Sequence, residues 1–285
     1  MKKICVITGA AGGLGFGCAK IMAEKYKLLI SDVNKEKLDQ AVSELRDKGY
    51  EAEGILVDVS DRSQVKAMAE KAKGMGTIAS VIHLAGLTGL YGEPARIFRV
   101  NAMGVININE EFYNVLESGS AIMDICSSVA YLMPRDRWPI DLFKLARKED
   151  KEEFFNKMVS FFLDGNPEKP QGMAYTWSRC FIYWYLMDCT FKFGQKGIRL
   201  VSTAPGVVET EMSKQDLAKS GSLEARLSYV AMGNRMGTID EAAFLISTLV
   251  DERNSYLTGI IVPLDGGEIA SGFKGQRTPR NEADF

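Results

Sequence analysis

Histidine is almost missing from this chain of 285 residues, in which His83 stands alone. Histidine-rich metal sites are therefore excluded, and a general acid or base other than His83 must be a different residue type. The five cysteines are an odd number and form no C-x-x-C pair, which argues against a disulfide framework or a zinc site. We expect no bound metal, and reduced, mostly buried thiols.

The chain also has little net charge and no long apolar run. Its 35 basic and 37 acidic side chains leave a formal charge of −2, so no long-range field favours nucleic acid or an anionic membrane. No apolar run approaches the roughly 20 residues of a membrane span. The apolar run at residues 4–7 is too short for a signal-peptide core. These absences predict a cytoplasmic protein without nucleic-acid or membrane partners.

Apolar runs recur between segments of helical periodicity. They cover residues 4–8, 27–31, 54–58, 80–85, 120–125, 197–204 and 259–263. The runs are continuous rather than alternating, as is typical of parallel strands covered on both faces. Helix starts are indicated by Asn34, by Asp61 with Gln64 and by Thr238 with Glu241. The alternation predicts a single α/β domain over residues 1–285, with a Rossmann-type doubly wound parallel sheet.

Two segments depart from this alternation. Residues 132–172 carry phenylalanines at helical spacing among many charges, which predicts a helical insertion. Residues 209–237 scatter apolar residues among polar ones, which predicts a loop that covers a substrate. Either segment can border a ligand.

The stretch TGAAGGLG, Thr8 to Gly15, follows the first predicted strand and opens a helical segment. Glycines there let the backbone approach a pyrophosphate at the positive end of a helix. Asp32 ends the second strand, where a carboxylate accepts hydrogen bonds from ribose hydroxyls and repels a 2′-phosphate. We expect NAD rather than NADP. The alternatives are a turn without ligand and an Asp32 that merely begins a helix.

With these motifs in place, the chain resembles the short-chain dehydrogenase/reductase family over nearly all its length. The remaining matches are Asp58-Val59, Leu84-Ala85-Gly86, Asn101, Ser127-Ser128-Val129, Tyr175 with Arg179, APGVVET at 204–210 and DGG at 265–267. The chain between Ser128 and Tyr175 is longer than is usual in the family. This insertion is similar to that of the bacterial 3α-hydroxysteroid dehydrogenase/carbonyl reductase type.

The resemblance implies a role for each matching residue. The catalytic set would be Tyr175, Arg179, Ser128 and Asn101. The cofactor contacts would be Gly9, Gly13, Leu14, Gly15, Asp32, Asp58, Val59, Ala85, Gly86, Tyr175, Arg179, Pro205, Gly206, Val208 and Thr210. Two departures stand out, because the family usually has lysine where Arg179 stands and asparagine where Leu84 stands.

Tyr175 and Arg179 are one helical turn apart, so their side chains share a face. A free phenol has a pKa of about 10, and making it a useful base needs roughly 3 to 4 kcal/mol in favour of the phenolate. A nearby guanidinium can supply this charge, although it cannot itself relay a proton. The alternative is that the pair merely begins a buried aromatic helix. His83 is interpreted as a packed histidine, and Asn101 has the alternative of an ordinary polar helix residue.

These residues predict an NAD-dependent oxidoreductase that interconverts a secondary alcohol and a ketone. A hydroxysteroid or bile acid is the leading substrate hypothesis, because a phenylalanine-rich insertion can meet a flat apolar ring system. The alternatives are a general carbonyl reductase for smaller ketones or quinones, and a binding protein that senses NAD with weak catalysis. The apolar helix from Tyr175 to Phe193 predicts a homodimer or homotetramer.

Overall fold

The computed structural model describes residues 2–89, 92–165, 168, 170–220 and 226–272, without the side chains of 216–220. Each of the seven predicted runs overlaps a strand, and the strand bounds differ from the predicted ones by at most two residues. The strands are β1 Ile4–Thr8, β2 Lys27–Asp32, β3 Ala52–Leu56, β4 Ile78–His83, β5 Ala121–Ile125, β6 Arg199–Pro205 and β7 Ile260–Leu264. All neighbouring pairs are parallel, in the order β3-β2-β1-β4-β5-β6-β7. The prediction of a single-domain Rossmann-type α/β fold is confirmed.

Helices connect the strands on both faces of the sheet. They are α1 Gly13–Met22, α2 Lys35–Asp47, α3 Arg62–Met75, α4 Pro94–Phe98, α5 Gly104–Val115, α6 Val129–Leu132, α7 Ile140–Phe143, α8 Lys151–Gly165, α9 Pro170–Gln195, α10 Glu211–Ser220, α11 Ile239–Val250 and α12 Glu268–Ser271. The predicted helix starts are correct: Asn34, Asp61 and Thr238 each accept backbone N–H bonds at an N-cap. These bonds satisfy amides that have no partner within the helix.

The strand order reverses between β1 and β4, because the chain moves outward from β1 to β3 and then returns to β4. In open α/β sheets, ligands bind beside the carboxyl ends of the strands at such a switch point. One apolar cluster packs α3, α5, α8 and α9 against one face of the sheet, and a second packs α1, α2 and α11 against the other. Packing on both faces holds the carboxyl ends of the strands rigidly in place.

The predicted insertion at 132–172 is helical, containing α7 and α8, with residues 166, 167 and 169 outside the described part. Its predicted end needs a correction, because α9 begins at Pro170 and so the last residues of that range belong to the helix that carries Tyr175. The proline at the helix start lacks an N–H that would have no intrahelical acceptor there. Tyr175 therefore lies inside α9 rather than at its first residue.

Phenylalanines of the insertion pack it against the rest of the domain. Phe154 and Phe162 are fully buried, with ring centroids 5.7 and 5.6 Å from that of Phe98. Phe154 also lies 4.6 Å from Phe181 of α9, centroid to centroid. The apolar face of α8 thus covers α4 and α9, and these rings do not line an open cleft.

Candidate active site

The glycine-rich loop between β1 and α1 is shaped by close contacts between backbones. Gly9 has φ +66°, and a Cβ there would lie 2.8 Å from the Ala85 nitrogen. A Cβ on Gly15 would overlap the Gly9 carbonyl oxygen. The N-cap of α1, Gly12, offers no side-chain hydrogen bond, and no atom of the described residues lies within 4 Å of where its Cβ would stand. The first amides of α1 are therefore free to bind an anion such as a pyrophosphate.

Asp32 ends β2 beside this loop, and its carboxylate meets the loop directly. The Ala11 N–H donates to Asp32 Oδ2 at 3.1 Å, and the Asn34 N–H donates to Oδ1 at 3.0 Å. Leu14 is partly buried and packs against the apolar cluster beneath α1. A ribose lying along the loop would meet the Asp32 carboxylate, which accepts hydrogen bonds and carries negative charge.

The next two proposed cofactor contacts, Asp58 and Val59, follow β3. Asp58 Oδ1 accepts the backbone N–H and the hydroxyl of Ser60 at 2.9 and 2.6 Å. Val59 is buried, and its carbonyl accepts a hydrogen bond from Asn107 Nδ2 at 3.0 Å. Both residues are therefore held firmly beside the carboxyl end of the sheet.

His83 ends β4 and is held beneath the site as a packed residue. Thr8 Oγ1 accepts the N–H groups of Leu84 and Ala85, both at 3.2 Å, so its own hydrogen is left for His83 Nδ1 at 2.7 Å. The assignment makes His83 a neutral ring protonated at Nε2. Burial and the charge of Arg179 lower its pKa to about 3. A neutral histidine is thus part of the support for the loop at residues 84–86.

Tyr175 and Arg179 meet on one face of α9. The guanidinium carbon of Arg179 lies 5.0 Å from the centroid of the Tyr175 ring. Tyr175 is half-buried, whereas Arg179 is 6% exposed. Arg179 Nη1 donates to the Ile125 carbonyl at 2.8 Å, while its buried Nε has no hydrogen-bond partner in the described chain. No described carboxylate forms an ion pair with Arg179, and its guanidinium lies over the Tyr175 ring.

Ser128 lies where β5 meets the ends of α9 and β6. Its backbone N–H donates to the carbonyl of Pro205, the last residue of β6, at 2.9 Å. Ser128 is 1% exposed and begins α6, which packs against α9. The neighbouring hydroxyl, Ser127 Oγ, accepts the Val129 N–H at 3.4 Å. The turn after β5 thus holds Ser128 on the same side of the sheet as Tyr175.

Asn101 lies in a π-helical turn, Arg99–Met103, directly before α5. Such turns are frequent at functional sites. Its Oδ1 accepts the Leu87 N–H at 2.8 Å, and its Nδ2 donates to the Leu87 carbonyl at 2.9 Å. A Cβ on Gly86 would lie 3.1 Å from Asn101 Oδ1 and 3.0 Å from Arg179 Nη2. Asn101 therefore supports the loop on which the guanidinium rests.

The segment after β6 returns to the glycine-rich loop. A Cβ on Gly13 would lie 3.7 Å from the Thr210 methyl group. Val208 is 6% exposed and pairs with Gly237 in an isolated bridge. Gly206 packs against Asp265, where a Cβ would lie 2.9 Å from the Asp265 Cβ. In the predicted covering loop at 209–237, residues 221–225 lie outside the described part.

Two residues that hold site segments in place, Arg226 and Ser178, were not predicted from the sequence. Arg226 in the covering segment pairs with the fully buried carboxylate of Glu268, with Nε and Nη2 at 3.0 and 2.9 Å from Oε1. Ser178, between Tyr175 and Arg179, hydrogen bonds to Asn101. The one sequence signal for Ser178 is its position between two proposed catalytic residues. The partner of Arg226 lies far along the chain, so spacing carried no signal.

These contacts form a closed ring around the carboxyl ends of β1, β4, β5 and β6. The glycine loop meets the loop after β4, and that loop meets Arg179, which meets β5. The turn after β5 meets β6, and Thr210 returns to the glycine loop. The structure thus brings the start of α1, the Tyr175 phenol, the buried Arg179 guanidinium and Ser128 to the carboxyl ends of the strands. This arrangement suits proton transfer beside a bound dinucleotide.

Family models agree with this architecture. Residues 3–140 match the short chain dehydrogenase model, and residues 170–268 match a model described as enoyl-(acyl carrier protein) reductase. The chain belongs to the short-chain dehydrogenase/reductase family, whose members are oxidoreductases that use nicotinamide cofactors. The residues between the two matches, 141–169, include most of the predicted insertion at 132–172.

Relatives of known name are similar over nearly their whole length. A 3-oxoacyl-[acyl-carrier-protein] reductase of Chlamydia muridarum is 29% identical, with 94% of this chain and 97% of the relative covered. A diacetyl reductase of Staphylococcus epidermidis is 24% identical, with 94% and 98% covered. Among solved structures, levodione reductase superposes with a TM-score of 0.75 at 22% identity, covering 94% of this chain and 98% of that one. The structural likeness supports the fold.

Proposed function

We propose that the chain interconverts a secondary alcohol and a ketone with NAD(H), with Tyr175 as the group that transfers the proton. The observation that carries the proposal is the buried Arg179 guanidinium beside the Tyr175 ring, without a carboxylate partner among the described residues. Burying a cation without an ion-pair partner lowers the stability of the fold. Its presence here therefore favours a role in binding or catalysis. Two such roles are stabilising a phenolate and hydrogen bonding to a ribose hydroxyl.

The nicotinamide would supply or accept the hydride, as in the family. The chain's own residues do the rest. Tyr175 Oη gives its proton to the ketone oxygen during reduction and takes it from the alcohol during oxidation. Ser128 donates a hydrogen bond to the same substrate oxygen, which stabilises developing negative charge. Arg179 favours the phenolate, and Asn101 holds the loop against which Arg179 rests.

We propose NAD rather than NADP because of Asp32. Its carboxylate lies beside the glycine loop, where a 2′-phosphate would meet like charge. Asp32→Ser is expected to lower kcat/KM with NAD and raise the ratio of NADP to NAD activity. Asp39→Ser, on the exposed face of α2, is the matched control and should leave this ratio unchanged. An unmodified enzyme that prefers NADP would overturn the cofactor choice alone.

For the substrate, we place a smaller ketone before the hydroxysteroid or bile acid. The steroid hypothesis depended on a phenylalanine-rich face open to the ligand, and Phe154, Phe155 and Phe162 are buried where the insertion packs against α4 and α9. The named relatives include reductases of 3-oxoacyl chains and diacetyl. A homodimer or homotetramer remains our proposal for the assembly.

Turnover tests the proposal with purified protein, NAD(H), and matched pairs of small and steroidal ketones. Tyr175→Phe is expected to lower kcat by a factor on the order of 10² to 10⁴, because it removes the proton donor. Cofactor affinity should change little. Tyr183→Phe, eight residues along the same helix, is the control. Turnover that is indifferent to Tyr175→Phe would instead favour a protein that binds NAD without using it.

A further inference from the structure

Ser178 links the loop after β4 to the backbone of the tyrosine-bearing helix. Ser178 is fully buried, so its hydroxyl does not contact solvent. It donates to the Tyr175 carbonyl at 2.6 Å and accepts a hydrogen bond from Asn101 Nδ2 at 3.2 Å. Asn101 also holds both backbone groups of Leu87. A continuous hydrogen-bond chain therefore runs from Leu87 to Tyr175.

We propose that Ser178 is a positioning residue that fixes Tyr175 relative to Arg179 and to the loop at residues 85–89. The inference rests on the proposed role of Tyr175. Ser178 touches neither substrate nor cofactor in this account, and it acts through the Tyr175 carbonyl and the Asn101 amide.

The opposite side of Tyr175 is held by the same loop. A Cβ on Gly89 would lie 3.1 Å from the Tyr175 Cβ and 3.2 Å from the Gly172 Cα. The loop thus touches Tyr175 at Gly89 and reaches its helix again through Leu87, Asn101 and Ser178. Movement of this loop would carry Tyr175 with it as long as both contacts held. A small displacement of a reacting group is sufficient to slow proton transfer.

Removing the hydroxyl has a defined local result. Asn101 is 1% exposed, so in Ser178→Ala one of its N–H groups loses its partner away from water. The Tyr175 carbonyl loses its second hydrogen bond at the same time. Ser120→Ala is the matched control, because Ser120 is a buried serine that donates to a backbone carbonyl, that of Ile78, at the start of β5. Removing its hydroxyl affects the amino ends of β4 and β5, opposite to the proposed site.

Kinetics with NAD and a turned-over ketone or alcohol provide the first test. Ser178→Ala is expected to lower kcat roughly tenfold, with a smaller change in KM, and to move the pH midpoint of alcohol oxidation upward. Ser120→Ala should leave the pH midpoint unchanged. Combined with Asn101→Ala, Ser178→Ala should cause little further loss, because both act through one chain. Equal losses of kcat in the two backgrounds, or an unmoved pH midpoint, would overturn the proposal.

Amide hydrogen exchange tests the link without requiring turnover. With NAD bound, Ser178→Ala should speed exchange in peptides covering residues 85–89 and 175–179, and Ser120→Ala should not. If the unmodified chain turns over no alcohol or ketone, the proposed function fails, and exchange still decides whether the link exists. Unchanged exchange in both regions would refute the positioning role.

Discussion

Asp124 is a buried carboxyl group whose removal should stabilise the protein in a pH-dependent manner. It is 2% exposed on β5, and burial raises its pKa from 3.8 to about 7. Asn109 Nδ2 donates to its Oδ2 at 2.7 Å, whereas Oδ1 has no partner within the described residues. Its register partner on β4, His83, is neutral over the same pH range and supplies no positive charge.

The sign follows from the raised pKa. Below about pH 4 the carboxyl is protonated in both the folded and unfolded states, so its ionisation does not lower the free energy of unfolding. As pH rises towards 7, the unfolded state ionises first, so the free energy of unfolding falls. A shift from 3.8 to about 7 corresponds to a loss of up to about 4 kcal/mol above pH 7.

Asp124→Asn removes the ionisation and keeps the shape. The amide oxygen can accept the existing bond from Asn109, and the substitution removes the charge from the buried carboxyl group, whose Oδ1 has no partner in the described chain. Urea unfolding at pH 5, 7 and 8.5 should show a gain that increases with pH, to about 2 to 4 kcal/mol. Asp39→Asn, on the exposed face of α2, is the control. A variant that is less stable at pH 8.5, or a pH-independent difference, would refute the reasoning.

Two further predictions concern the insertion and the covering segment. Phe154→Ala should cost about 3 to 5 kcal/mol of unfolding free energy, because its ring is fully buried, whereas Phe191→Ala on the same packed layer should cost almost nothing at 76% exposure. Equal costs by urea unfolding would contradict the packing. Arg226→Met should cost about 3 kcal/mol and raise KM, because it leaves the Glu268 carboxylate unpaired; adding Glu268→Gln should recover much of the loss. No recovery would disprove the charge argument.

The strands were predictable because continuous apolar runs leave few alternatives for a chain that also alternates with helices. The glycine loop was predictable for a similar reason, since Gly9 and Gly15 meet backbone atoms that leave no space for a Cβ. The helix starts at Asn34 and Thr238 were visible because an N-cap is encoded within four residues.

Contacts between distant segments were not predictable. Periodicity showed that α8 has an apolar face, but it did not show that Phe98 and Phe181 cover that face. The π-helical turn at Asn101 arises where the helix meets Leu87, so its own sequence reads as ordinary helix. Burial of Asp124 depends on α5 and α9 closing over β5, which no local signal reports.

The central claim is that the Arg179 charge makes Tyr175 an effective proton-transfer group. The most direct measurement is the pH dependence of kcat/KM for alcohol oxidation in Arg179→Met and Arg179→Lys. Removing the charge beside the proton-transfer group is expected to lower kcat/KM roughly 100-fold near pH 7, within the range that a positioned acid or base contributes. The account predicts this fall and a higher pH midpoint in Arg179→Met, with activity kept or raised in Arg179→Lys. An Arg179→Met enzyme with unchanged kcat/KM and the same pH midpoint would contradict it.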